Sequence, residues 1–388
     1  MRLIIILLII VLSHITVFNQ DKELYKLPSG PEGPGKFGAY YTQLKYDPQW
    51  DEQWRVDDHP DVVVRFDDGG HKFVFWRGTS YIPCWVTDND IWYTNEFVER
   101  RGWHSPNTEG CVEPMSDKQC RYSHVRIIES NDARAVIHWR YAPVDVHYEH
   151  PFIDKNTGWS DWVDEYYYIY PNATGVRSIT VQSTNLKKWI EFHEGIVVNQ
   201  PGTVPDDNIK PGAVSVANMK GENYTYYWDE NGGPVFDKNP ERANIYKINL
   251  KSDKSPFALV KPPQIDGNII TSYLGHSDKS MFNWWDHWPV SQVASDGRGA
   301  KSSRNPSHTS LCHIDIPKQP PITYYGLLGD DSFINNGILG LALKLYLYYI
   351  IIFIGMKKAR SLTNGGPHTK NGIDRSKVHP QGITTDIA

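Results

Sequence analysis

Before residue 330 no stretch carries an apolar repeat of 3.6 residues over three turns, and this constrains the fold more than any single motif. Short runs rich in β-branched and aromatic residues stand in place of helices. They read VVVRF (62–66), HKFVFWRG (71–78), YIPCWVT (81–87) and DIWYTNEFV (90–98). More follow at CRYSHVRIIE (120–129), ARAVIHWRYAPVDV (133–146), DEYYYIYP (164–171), GVRSITVQS (175–183) and WIEFHEGIVV (189–198), with shorter ones at 223–228 and 243–250. Turn formers separate them, notably Asp67-Asp68-Gly69-Gly70, Asp88-Asn89-Asp90 and Pro171-Asn172-Ala173-Thr174-Gly175. Strands this numerous, joined by hairpin-like turns, predict an all-β chain with a large antiparallel β-sandwich over 61–330.

The ends read differently. Arg2 followed by the ten apolar residues Leu3–Leu12 and then Ser13, His14, Asn19 and Gln20 has the pattern of a signal peptide over 1–20. Ten helical residues rise only about 15 Å, too little to span a bilayer. The expected localisation is therefore outside the cytoplasm, secreted or periplasmic. Residues 21–60, rich in Pro, Gly and charge, read as an extended, irregular lead-in. Residues 331–388 form an atypical tail whose apolar segment 337–356 is followed by Lys357, Lys358 and Arg360. Contact with a membrane is expected only if that segment is an anchor, and Lys344 near its middle argues against one.

Composition narrows the partners. A net charge of −5 and a pI near 6.3 offer no basic stripe for nucleic acid. Of the four cysteines, Cys111 and Cys120 are the pair expected to form a disulfide. The chain carries 14 Trp and 23 Tyr, rings with an apolar face and a polar tip that suit the amphipathic faces of sugars, although large β cores also use them. No phosphate-cradling Gly loop, nucleophile elbow or HExxH is present, and no cofactor is evident. Calcium is the one metal considered, at the Asp67-Asp68 and Asp88-Asn89-Asp90 turns, each more simply read as an Asx-capped turn.

Reactive side chains are densest over 120–142. Alternation sets Tyr122, His124 and Arg126 on one face of the first strand, and in the second it separates Trp139 and Tyr141 from His138 and Arg140. A two-residue Asn131-Asp132 turn would bring His124 opposite Trp139 and Tyr122 opposite Tyr141. A three-residue turn would bring His138 and Arg140 to His124 instead. Either face suits β-elimination of a uronic-acid polymer. Arg126 or Arg140 would neutralise the uronate carboxylate, and His124 would remove the C5 proton. Tyr122 or Tyr141 would protonate the leaving O4, or act as both base and acid beside an Arg. His193, in Glu191-Phe192-His193-Glu194, is a second candidate that would complete the site from a neighbouring strand, or else a salt-bridged structural histidine. Trp139, Arg140, His138 and Trp85 are the expected substrate-binding residues. Glu96, Glu99, Asp161, Asp164 and Glu165 are numerous enough for a hydrolase, but spacing alone does not pair them.

Several of these stretches resemble the secreted marine-bacterial ulvan lyases of polysaccharide lyase family 40. They are FWRGTSYIP (75–83), EPMSDKQCRYSH (113–124), VIHWRY (136–141) and EYY (165–167) leading into Tyr170-Pro171, and the resemblance spans roughly 40–330. It implies an acidic, sulfated rhamnose–uronic acid polymer, cut by β-elimination to leave an unsaturated uronyl end. The long paired strands also look like the supersandwich of several lyases and sugar mutarotases. Beside that family the chain reads as a shortened copy, which keeps a non-catalytic carbohydrate-binding module as the alternative and a glycoside hydrolase as a third reading.

Overall fold

A computed structural model of the chain describes residues 36–44, 59–67, 69–94, 97–101, 107–109, 111–185, 190–218, 220–227, 240–260, 281–282, 301, 303–315 and 322–329. The chain divides into units Met1–Leu339 and Gly340–Ala388, the second lying outside the described residues together with residues 1–20, expected from the sequence to be a signal peptide, and the apolar segment 337–356. Among the described residues no helix is long and apolar enough to cross a membrane.

Strands are numbered along the chain. In one sheet they run in the order β1 (Gly38–Thr42), β2 (Asp61–Arg65), β3 (Lys72–Phe75), β4 (Pro83–Val86), β5 (Trp92–Thr94), β12 (Ile190–Asn199), β18 (Ser307–Asp315) and β17 (Met281–Phe282). Two more strands complete it: β6 (Glu99–Arg101) pairs with β12, and β7 (Cys111–Val112) pairs with β6. The other sheet runs β14 (Asn223–Tyr226), β13 (Ile209–Ala217), β15 (Ile245–Leu250), β16 (Lys254–Val260), β19 (Ile322–Gly329), β11 (Thr174–Gln182), β10 (Trp162–Tyr170), β9 (Ala135–Tyr141) and β8 (His124–Ser130). All the described pairings are antiparallel, as the sequence predicts. Two features add to the expected architecture. The 21–60 lead-in contains an edge strand, because Tyr40 and Tyr41 pair with Val63 and Val62. Strands β13, β16, β17, β18 and β19 have no clear strand signal in the sequence, since KPGAVSVA, KSPFALV and their like alternate weakly.

The sheets meet through an aromatic seam. Phe73 and Trp85 from one sheet lie 5.7 and 5.8 Å (ring centroids) from Tyr325 of the other, Phe75 stands edge-on to Tyr167 at 5.3 Å, and Tyr167 meets Tyr325 at 5.9 Å. Such offset and edge contacts add to what the buried ring area contributes. β10 shows the rule that sorts its side chains. Val163, Glu165, Tyr167 and Ile169 are buried, while Trp162, Asp164, Tyr166, Tyr168 and Tyr170 alternate with them on the opposite, half-buried face. At its end a three-residue turn, Pro171–Ala173, puts Ala173 at φ 57, the left-handed residue such a loop requires. Gly326 faces that turn, and a Cβ there would sit 2.5 Å from the Ala173 carbonyl, so only glycine fits.

A carboxylate sits in this core. Glu165 accepts hydrogen bonds from Arg177 Nε (2.6 Å) and Nη2 (2.8 Å), from the Tyr141 hydroxyl (2.7 Å) and from the Tyr167 hydroxyl. Glu165 and Arg177 are both fully buried. The Val98 N–H, from the chain entering β6, donates to the Tyr141 oxygen at 2.6 Å and so links the network to the opposing sheet. Arg100 of β6 makes another buried ion pair, this one between the two sheets, with Asp161 just before β10. At the sandwich edge, β1 and β8 cover each other. Ala39 N–H donates to Ser130 Oγ (2.9 Å) and Ile127 N–H to the Tyr41 hydroxyl (2.9 Å), occupying edge groups that would otherwise template further strands.

The expected Cys111–Cys120 disulfide is not formed. Cys120 is a buried free thiol against the Arg77 carbonyl at 3.3 Å, drawn there by a left-handed turn at Cys120 itself (φ 48). At Asp88-Asn89-Asp90 the Thr87 hydroxyl donates to Asn89 Oδ1 and accepts from Ile91 N–H, so side chains close the turn themselves. Among the described residues no group of three His, Cys, Asp or Glu is placed to hold a metal.

Two predictions follow from the buried charges. Arg177→Met should leave Glu165 uncompensated and cost about 3–5 kcal/mol in urea unfolding, whereas an unchanged midpoint would remove the network from the stabilising core. Separately, burial, the nearby charge of Glu99 and a hydrogen bond to it raise the Glu113 carboxyl well above its ordinary 4.5. The folded protein therefore retains a proton that the unfolded chain releases. Its stabilising contribution is full below the ordinary carboxylate range and is lost as pH rises through the raised value. Glu113→Gln should flatten that fall, gaining on the wild type as pH increases; parallel stability–pH curves would contradict it.

Candidate functional site

The 120–142 hairpin takes its register from a turn longer than either alternative. Residues 131–134 form a four-residue loop in which Asn131 Oδ1 accepts the N–H groups of Ala133 (2.9 Å) and Arg134 (3.1 Å). Glu129 clamps it with hydrogen bonds from Arg134 Nε (2.9 Å) and Nη2 (2.8 Å). A bulge between Ile127 and Glu129 then absorbs one residue. The result is the pairing expected of a three-residue turn: His124 opposite Arg140 and Arg126 opposite His138. The pairing of His124 with Trp139 and of Tyr122 with Tyr141 is thereby overturned.

The side chains sort accordingly. His124, Arg126, His138 and Arg140 share the outer face of the sheet with Asp164 and Tyr166, because β10 pairs Asp164 with Arg140 and Tyr166 with His138. Trp139 and Tyr141 point into the sandwich and are fully buried, and Trp85 is buried in the aromatic seam. These three are core residues rather than ligand contacts. The Tyr141 hydroxyl is spent on Glu165, and burial raises it well above the usual phenol range. His193 lies on β12, opposite Ile314, in the other sheet, so it does not extend the β8–β10 face.

Four side chains form one chain of hydrogen bonds. Arg126 Nε donates to His138 Nδ1 at 3.1 Å, which leaves the imidazole proton on Nε2. That Nε2–H donates to Asp164 Oδ1 at 2.7 Å. Asp164 Oδ2 in turn accepts from Arg140 Nη1 at 2.7 Å. Tyr166 stacks on the His138 ring at 4.5 Å and 19°. With both ring nitrogens committed and 6% exposure, His138 positions Arg126 and Asp164 and has no lone pair left to act as a base. His124 is exposed beside Arg140.

Before β8, Asp117 sets the approach of Tyr122. Its carboxylate accepts the N–H groups of Arg121 and Tyr122, both at 2.8 Å, and Ser80 Oγ donates to its carbonyl at 2.6 Å. Tyr122 then lies edge-on to His150 (4.6 Å) and Trp162 (6.5 Å), while Arg140 sits 4.8 Å over the Trp162 ring. Partial burial lowers the basicity of His150. Asp164 was named in the sequence only as one of many carboxylates, and Trp162, Tyr166 and His150 were not singled out. The first three follow from the alternation of 162–170, whereas His150 lies in a loop with no periodicity to read.

Glu99 and Glu113 are buried and hydrogen-bonded to each other, which leaves no room for a glycosidic bond between them.

No family model and no curated protein matches the chain. Among solved structures it is similar to a galactose 1-epimerase from Lactobacillus acidophilus NCFM, with 9% identity, 76% of this chain and 99% of that chain covered, and a TM-score of 0.33.

Asp164→Asn should cost about 1.5–3 kcal/mol, the usual worth of hydrogen bonds to a charged group. It should also disturb the His138 Nε2–H resonance in NMR spectra; an unmoved resonance would mean that Asp164 does not fix the tautomer.

Proposed function

We propose that this chain is an exported lyase that binds an acidic polysaccharide on the outer face of β8–β10 and cleaves it by β-elimination at a uronic acid. The observation that carries the reading is the hairpin register. It sets an exposed His124 against Arg140, with a second guanidinium, Arg126, oriented by His138 on the same face.

Each residue then has a task. Arg140 and Arg126 commit one N–H each to the Asp164 and His138 pairings, and their remaining donors suit a carboxylate fork. Neutralising the uronate makes the C5 proton acidic. His124 takes that proton, and the released electron pair forms the C4–C5 double bond as the C4–O4 bond breaks. Tyr122, two residues before His124, supplies the proton to O4 and recovers it from the imidazolium through solvent. The stretches resembling ulvan lyases make a sulfated rhamnose–uronic acid polymer the favoured substrate. A carbohydrate-binding module without turnover is the second reading, favoured by Asp164, whose charge already offsets part of Arg140.

Ulvan incubated with the purified protein should gain the ultraviolet absorbance of an unsaturated uronate. His124→Gln should lower that rate about 100-fold or more, the usual contribution of a general base. Reducing ends without the chromophore would point to a hydrolase, and binding without new ends to the module.

A further inference from the structure

We propose that Trp159, Trp162 and Tyr122, flanked by Arg121 and Arg140, form a stacking platform for the pyranose rings of an anionic saccharide. The inference rests on the reading that this face handles an acidic polysaccharide, and it concerns how the chain is held where Trp159 and Trp162 border Tyr122 and Arg140, the residues already assigned to the reaction.

Trp159 is 58% exposed, the one exposed tryptophan among the described residues. An indole face in water contributes little to folding, yet this one is carried on a closely bonded loop. Asp154 Oδ1 accepts the N–H groups of Asn156 (3.0 Å) and Thr157 (2.8 Å) and the Thr157 hydroxyl (3.0 Å). Gly158, at φ 71, donates its N–H to the Asp154 carbonyl, and Asp154 N–H donates to the Trp159 carbonyl, both at 2.8 Å. Thr184 Oγ1, just past β11, ties the loop to the sheet through the Phe152 carbonyl at 2.7 Å. The hydrogen bonds to Asp154 hold its carboxyl below the usual range, so the loop keeps its charged anchor through neutral pH. A large, pre-ordered ring in solvent loses little conformational entropy on binding.

The ring does not stand alone. Trp159 meets Trp162 at 6.3 Å and 64°, and Trp162 meets Tyr122 at 6.5 Å and 77°. Arg140 lies over Trp162, and Arg121 lies 4.1 Å over Tyr148, the next ring beyond Tyr122. Aromatic faces therefore alternate with guanidiniums along one surface. An apolar partner would meet charges it could not satisfy, and a simple polyanion would gain nothing from the rings. A sugar chain carrying carboxylate or sulfate groups matches both: its C–H faces lie on the indoles, and its anions meet the guanidinium forks.

The test uses the full chain carrying His124→Gln, so that binding is read without turnover, with affinity electrophoresis against ulvan, a neutral glucan and polyglutamate. Ulvan should retard the protein most. Adding Trp159→Ala should weaken ulvan binding about tenfold with unfolding unchanged, and Trp159→Phe should restore most of it. Trp159-independent binding, or retardation by polyglutamate equal to that by ulvan, would overturn the platform. Absence of unsaturated product from the wild type, with Trp159-dependent binding intact, would defeat the elimination reading alone.

Discussion

The placement of Glu165 governs the rest of the structure. It is a fully buried carboxylate whose oxygens are met by an Arg177 fork and two tyrosine hydroxyls. Removing a carboxylate from water costs several kcal/mol, and only this full set of partners offsets it. Each partner comes from a different part of the sheet: Tyr141 from β9, Tyr167 from β10 and Arg177 from β11. The Val98 N–H on Tyr141 brings in the opposing layer. The network is satisfied in one arrangement of these strands, so it specifies their register as well as contributing to stability.

That arrangement explains which parts of the fold were legible. Strands with one face in the core and one toward solvent alternate, which is visible in the sequence of β8, whereas β10 is legible as a strand from the aromatic run of 164–171. β2 to β4 are legible for the opposite reason: buried on both faces, VVV, KFVF and PCWV read as nearly continuous apolar runs. The strands after residue 250 satisfy neither pattern. In KSPFALV a Pro and two small residues interrupt the signal, and its pairing with β19 spans some 70 residues of chain, too distant for any local cue.

The candidate site divides along the same line. Its location was legible, because a hairpin with two His and two Arg has no place wholly inside a core. Its membership was not. Tyr141 and Trp139 are chemically as suitable as Tyr122 and Trp162, and only strand parity distinguishes them. Parity across the hairpin depends on a turn whose Asn131 and Glu129–Arg134 contacts are side-chain chemistry, and on a bulge that no period reveals. A one-residue error in a sheet exchanges an entire face.

Core and surface are thus coupled through a single strand. In β10 the sequence Asp164-Glu165-Tyr166-Tyr167 alternates between the two networks: Asp164 and Tyr166 fix Arg140 and His138 outside, and Glu165 and Tyr167 meet Arg177 inside. A slip of β10 by one residue would carry Asp164 toward the core without its cations and turn Glu165 to solvent, leaving Arg177 buried and unpaired. Either misplaced charge costs more than a typical outer-face hydrogen bond contributes. The spacing of the exposed cations is therefore set from within the sandwich. A substitution deep in the core at Glu165 or Arg177 therefore acts on the outer face through the register of β10.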